Sequence, residues 1–160
     1  MKFTILGRLP SLNEAFNEAR RNKYLEAKTR LQCERLIMAS AKRGLKKWKP
    51  NEAVFIHYHF FEPNVRRDKD NVSGYAVKLI QDSLVKARYL KNDGWSQIVN
   101  FDYTWAVDKN RPRIEVEIEE ATTVNMYDIE ELYPDCTVQI LRNSLTGDVS
   151  VGWWINEKGE

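Results

Sequence analysis

Asp68 and Asp70 stand two residues apart in the stretch RRDKDN, with Arg66 and Arg67 before them and Asn71 after. At the end of an extended segment, residues two apart point the same way, so the two carboxylates share a face. Held that close they repel, and one tends to stay protonated unless a cation lies between them. A hard, oxygen-ligated ion such as Mg²⁺ resolves the conflict, because it is held by one or two carboxylates together with water and substrate phosphate. Asp93, in a turn at the far end of the helix that follows, can serve as a third ligand only if the fold brings that turn back. A calcium loop starting at Asp68 fails: it needs an oxygen ligand, a glycine and a glutamate where the chain has Val72, Ser73 and Leu79. The same residues also fit a purely structural account. Asp70 would cap a helix, Asp68 would pair with Arg66 or Arg67, and Asp93 would make an ordinary Asp-Gly turn.

Two elements must carry these acids. AVFIHYHFFEP reads as a strand, with Val54, Ile56, Tyr58 and Phe60 on one face and Phe55, His57, His59 and Phe61 on the other. Two histidines at strand spacing suit a metal, but no third soft ligand stands near them in the sequence. VSGYAVKLIQDSLVKARYL reads as an amphipathic helix that turns Val72, Tyr75, Ala76, Leu79, Ile80, Ser83, Leu84 and Ala87 to the core. Lys78, Gln81, Asp82 and Lys86 then lie on its other side, and Asn71 or Asp70 is its natural N-cap.

Around this unit, MKFTILGRL has the content of a first strand closed by Pro10, and PSLNEAFNEARR turns polar, with Ser11 and Asn13 suited to a cap or a loop. KYLEAKTRLQCERLIMASAKRGL steps by three and four through Tyr24, Leu25, Lys28, Leu31, Gln32, Arg35, Leu36 and Ala39, which predicts a helix with Lys28, Gln32 and Arg35 at the edge of its apolar stripe. Gly44 ends it and leaves a basic tail. IVNFDYTWAVDKNRPRIEVEIEE reads as two strands of a hairpin joined at DKNRP. The order predicts an α/β or α+β domain over 1–120, a mixed sheet with two main helices. Residues 121–160 read as an acidic linker, with a helical turn at most, and a C-terminal β-hairpin whose Trp153 and Trp154 form a docking surface.

With 160 residues and 42% hydrophobic content, the chain suffices for one ordinary core. No apolar run approaches the ~20 residues of a membrane span, and the opening residues are too soon broken for a signal peptide, so a soluble cytoplasmic protein is expected. Cys33 and Cys136 lack metal-ligand spacing and fit reduced thiols. Charge is lopsided: residues 1–50 carry 13 Lys and Arg against 4 Asp and Glu, and residues 101–160 carry 5 against 13. The basic first third suits a polyanion by counterion release, or a solvated helix face.

RRDKDN, then KLIQDSL, then NDGWSQI resembles the RusA-type Holliday junction resolvases, in which an arginine-rich lead-in, an Asp-x-Asp-Asn core, a helix bearing Lys and Asp, and a later acidic turn follow in order. The early GRLPSLNEA is similar to the family's opening strand and Pro-Ser-x-Asn loop. The likeness covers roughly residues 3–119. It departs at one point: in the enterobacterial pattern the lysine stands about one helical turn nearer the Asp-x-Asp pair, a shift of ~5.4 Å along the axis. The interval from Lys78 to Asp82 is unchanged.

The resemblance implies a RusA-like fold and a homodimeric, Mg²⁺-dependent endonuclease, with Mn²⁺ able to substitute, that binds four-way DNA junctions by shape and nicks two strands symmetrically in recombination and repair. Asp68, Asp70 and Asp93 match the acidic catalytic and metal-binding residues, and Lys78 the catalytic lysine. Asn71, Asp82 and Asn13 are expected to stand behind them. Arg66, Arg67, Lys42, Arg43, Lys46, Lys47 and Lys49 are expected to hold DNA phosphates, which positions the duplex without reading bases. The family's frequent occurrence in phages and prophages allows that origin as well as a bacterial one. Two other readings compete: a non-catalytic branched-DNA or single-strand binder, and an interaction protein acting through its Trp-rich hairpin.

Overall fold

The computed structural model describes residues 1–121, 136–142 and 149–155, the last two stretches by backbone alone. The chain divides into two compact units, Met1–Glu120 and Ala121–Glu160. In the first, β1 (Lys2–Leu6), α1 (Leu12–Arg21), α2 (Lys23–Leu45), β2 (Val54–Glu62), α3 (Lys69–Lys86), β3 (Ile98–Val107) and β4 (Arg113–Glu120) follow in order. Four strands form one mixed sheet in the order β1-β4-β2-β3, an α+β fold. In the second unit, β5 (Cys136–Arg142) and β6 (Val149–Ile155) form an antiparallel pair in which Ile140 faces Val151. The expected acidic linker and the side chains of Trp153 and Trp154 lie outside the described residues.

The alternation read from the sequence holds for β2, whose Val54, Ile56, Tyr58 and Phe60 are buried in the core. Phe3 and Ile5 of β1 and Ile114, Val116 and Ile118 of β4 join them, against Ile37, Leu45, Ile80 and Leu84 from the helices. Each such side chain contributes roughly 1.5–3 kcal/mol by leaving water.

Ser11, suited by its type to a cap or a loop, takes the cap: the polar run after Pro10 is a helix, a third beside the two main ones, in which Ser11 Oγ accepts from the Glu14 N–H at 3.3 Å and Glu14 returns a carboxylate oxygen to the Ser11 N–H at 2.7 Å. That reciprocal pair satisfies two otherwise orphaned donors. The segments 98–107 and 113–120 are not a hairpin, because β2 lies between them. It pairs parallel with β3, with Tyr58 opposite Tyr103, and antiparallel with β4, with Tyr58 opposite Val116. The helix between β2 and β3 makes the parallel crossover, which leaves β2's other edge to β4.

A second departure concerns α2. Tyr24, Leu25, Leu31 and Leu36 of the apolar stripe read from the sequence are exposed, and the helix buries Glu34, Ile37, Ser40, Ala41 and Leu45 instead. Close approach explains the choice of face. A Cβ on Gly44 would collide with Phe3 Cβ and fall 2.7 Å from the Lys2 carbonyl oxygen. Around Ser40, Ala41 and Gly44 the helix lies close on β1, with Ile37 and Leu45 buried on the same side, while Tyr24, Leu25, Leu31 and Leu36 face away.

Candidate active site

α3 begins at the acidic stretch. Asp68 takes the N-cap position in extended conformation (φ −70°, ψ 136°), yet its side chain makes no capping bond, and Asp70 lies in the first turn. Both are exposed, and among the described residues neither carboxylate has a side-chain hydrogen-bond or ion-pair partner. Asn71 follows, half-buried.

The two arginines ahead of them part company. Arg66 is exposed. Arg67 is turned inward with 12% of its side chain exposed, donating to both oxygens of Glu62 at 2.6 and 3.1 Å, to Glu14 at 3.0 Å and to the Leu9 carbonyl at 2.9 Å. A guanidinium committed to that many acceptors is a structural clamp. It fastens the residue 9–14 segment to the start of α3, and Asn13, exposed on α1, rides on that segment.

Further along α3, Lys78 donates to Asp82 at 2.8 Å, one turn on, and to Asp93 at 2.5 Å. The turn after the helix therefore does come back, and it comes back to Lys78. Hydrogen bonds donated to Asp82 and then Asp93 raise the Lys78 ammonium above its usual range, and the bond from Lys78 lowers Asp93 below its own. Asp82 also accepts from Arg30 of α2 at 3.3 Å. Arg30 bonds Glu34 at 3.2 Å, and Glu34 receives Lys86 at 2.6 Å. An alternating chain of charge thus runs from Lys86 through Glu34, Arg30, Asp82 and Lys78 to Asp93.

Asp70, Ser73, Gly74, Val77, Lys78 and Gln81 line one side of an open groove of about 380 Å³, and Phe101 and Tyr103 of β3 line the other. Asp70 and Lys78 thus share a groove, to which Asp93 is tied through the lysine. Among the described residues, no three His, Cys, Asp or Glu side chains are gathered closely enough to hold a metal ion. His57 and His59 lie on the helix-free face of the sheet, 2.9 Å from Asp102 and 2.7 Å from Thr104. A profile of the endodeoxyribonuclease RusA family matches residues 9–119. The chain belongs to the RusA family. No curated protein matches it.

The RusA match spans Asp68, Asp70, Lys78 and Asp93 and stops before the second unit. Where the enterobacterial RusA pattern would set the lysine, one turn before Lys78, stands Gly74, exposed and with nothing within 4 Å of where its Cβ would be. Lys42, Arg43, Lys46, Lys47 and Lys49 are exposed at the end of α2. Their segment sits beside the C-terminal end of α3, since Tyr89 donates to the Lys46 carbonyl at 2.9 Å. Asp68 is at the other end of that 18-residue helix, ~27 Å away along the axis.

The sequence reading missed Arg30, whose partner Asp82 lies 52 residues on, and Gln81, which is buried and donates to the Tyr58 hydroxyl at 3.3 Å. It also passed over Phe101 and Tyr103 as groove residues. Their alternation with polar neighbours was visible, but not that β3 is an edge strand.

Proposed function

We propose that this chain is a divalent-metal-dependent endonuclease, using Mg²⁺ or Mn²⁺, that resolves four-way DNA junctions as a homodimer by paired symmetric nicks, in recombination or repair. The carrying observation is that Asp70 and Lys78 line one groove inside the segment that matches the endodeoxyribonuclease family.

The donor chemistry fits a hard cation. Asp68 and Asp70 offer exposed carboxylates with no protein partner among the described residues, and Asp93 would join them on leaving Lys78. When bound, a divalent ion would supply charge for the scissile phosphate and lower the pKa of a water. Lys78, a lysine ammonium raised further by two carboxylates, suits an electrostatic partner for phosphate oxygens rather than a proton acceptor. Arg66 and the basic residues that end α2 would hold flanking phosphates. Arg67 contributes by anchoring the start of α3. Dimerisation follows from the two equivalent strands of a junction, and the exposed Tyr24, Leu25, Leu31 and Leu36 on α2 offer it an apolar surface.

The test is cleavage of a synthetic four-way junction with Mg²⁺ or EDTA, comparing the wild type with Asp70→Asn and using linear duplex as control. Paired nicks that need both the metal and Asp70 are expected. Tight junction binding without cleavage under any divalent metal would leave a branched-DNA-binding protein in its place.

A further inference from the structure

Phe101 and Tyr103 sit on the helix-side face of β3, opposite Ile56 and Tyr58 of β2, where an inward aromatic would ordinarily be covered. Among the described residues no strand pairs with β3 at that edge, and the rings stay 41% and 47% exposed. They are firmly seated. Phe101 meets the buried Tyr58 at 6.2 Å and 81°, and Tyr103 meets Phe60 at 6.5 Å and 76° and Trp105 at 6.3 Å and 81°. Such edge-to-face contacts hold a ring in place while leaving part of it accessible. Across the groove stand Asp70 and Lys78, with Gly74 between them along α3 adding no side chain. At the Trp105 end of the strip the Lys69 ammonium lies 6.0 Å from the indole centroid.

We infer that Phe101 and Tyr103 form a stacking platform for a single nucleobase of the DNA strand whose backbone meets Asp70 and Lys78. This rests on the nuclease reading and goes beyond it, by saying how branched DNA is told from duplex. The occupant is argued from continuity, since the aromatic rings and the candidate acid and lysine line the same groove, and from the family's DNA substrate. Exposed aromatic rings take bases of any sequence, because every base has a π-face. In continuous duplex the bases stack on one another, and drawing one out costs unpairing and unstacking. At a branch point that cost is lowest. The platform therefore rewards a junction and gains nothing from linear duplex.

The test is photo-cross-linking of the full chain to a four-way junction carrying 5-iodo-2′-deoxyuridine at the branch point, in EDTA, with adducts located by mass spectrometry. Junction and duplex affinities of Phe101→Leu and Tyr103→Leu are measured alongside. An adduct on Phe101 or Tyr103 is expected, with a loss of about tenfold in junction affinity per ring and little change for duplex. Adducts elsewhere, or equal losses on junction and duplex, would overturn the platform while leaving the nuclease reading intact. A wild-type chain that binds no junction would overturn both. The cross-link is read on the wild type, so a variant that fails to fold does not remove the test.

Discussion

Lys78 donates to Asp93 at 2.5 Å across fifteen residues of sequence, and the same ammonium holds Asp82 one turn along its own helix. One cation between two carboxylates keeps the turn after α3 folded back on the helix. This ties the third acid to the groove that Asp70 lines.

Replacing Lys78 by Met should lower junction cleavage by about 10²-fold, the scale of removing one electrostatic stabiliser of a transition state. Stability should change by less than about 1 kcal/mol, because the ion pairs are exposed. Adding Gly74→Lys to that variant moves the ammonium one turn toward Asp70, to where the enterobacterial pattern has it, and should restore part of the rate. Single-turnover cleavage of the three proteins is the check. A double variant no better than Lys78→Met would mean that the lysine acts through its hold on Asp93.

The two helical glycines should respond oppositely to the same change. Gly74→Ala meets open space and gains helix propensity, so urea unfolding should show a rise of roughly 0.5–1 kcal/mol. Gly44→Ala would drive a methyl into the backbone of β1 at Lys2 and Phe3, and should cost about 3 kcal/mol as α2 is forced off the sheet.

Glu34 is buried between Arg30 and Lys86, each about half exposed. Removing both cations, as Arg30→Met with Lys86→Met, strands a buried carboxylate and should cost about 3 kcal/mol at pH 7. Glu34→Leu removes the buried charge itself and should cost about 1 kcal/mol or less. The wild-type carboxyl is pushed up by burial, but hydrogen bonds from Lys86 and Arg30 outweigh this and hold it below its usual range. Its contribution is therefore present above the unfolded glutamate pKa and is lost as pH falls through the lower, folded one. The double variant should consequently differ least from wild type in acid, as denaturation at pH 3 and pH 7 would record.

The Lys78–Asp93 link should persist across the neutral range. Asp93 is lowered, so the link fails in acid only as pH drops below the ordinary aspartate range; Lys78 is raised, so it fails in alkali only above the ordinary lysine range. Nitrogen NMR of the Lys78 ammonium should give a midpoint above about 10.4. A midpoint near 8 would restore Lys78 as a proton acceptor.

The strand core at 54–60 and the face of α3 were legible because alternation and helical spacing record burial directly. Gln81 is an exception, since an amide can go inside once Tyr58 supplies a partner. The inward face of α2 was not legible. Apolar periodicity picked out the stripe through Tyr24, Leu25, Leu31 and Leu36, whereas close packing on β1 selected the side where Ser40, Ala41 and Gly44 accompany Ile37 and Leu45. Alternation gave β3 and β4 as strands but could not say that β2 runs between them. Spacing alone left the aspartates of RRDKDN open between a metal-holding pair and ordinary cap and ion-pair roles; only the family resemblance pointed to the first. The commitment of Arg67 to Glu62, Glu14 and Leu9 depends on contacts up to 58 residues apart, which no local pattern carries.

All three helices pack on one face of the sheet, and the opposite face sets Glu115, Glu117 and Glu119 of β4 beside His59, His57 and Phe55, with Asp102 on the far side of His57. Lys2 and Arg113 neutralise Glu115, which leaves Glu117 and Glu119 as the acids on this face without an ion-pair partner among the described residues. Were the chain to take DNA as proposed, those two would turn a polyanion away from this side, while Arg66 and the lysines ending α2 would draw it to theirs, giving the domain a handedness of approach before any specific contact formed.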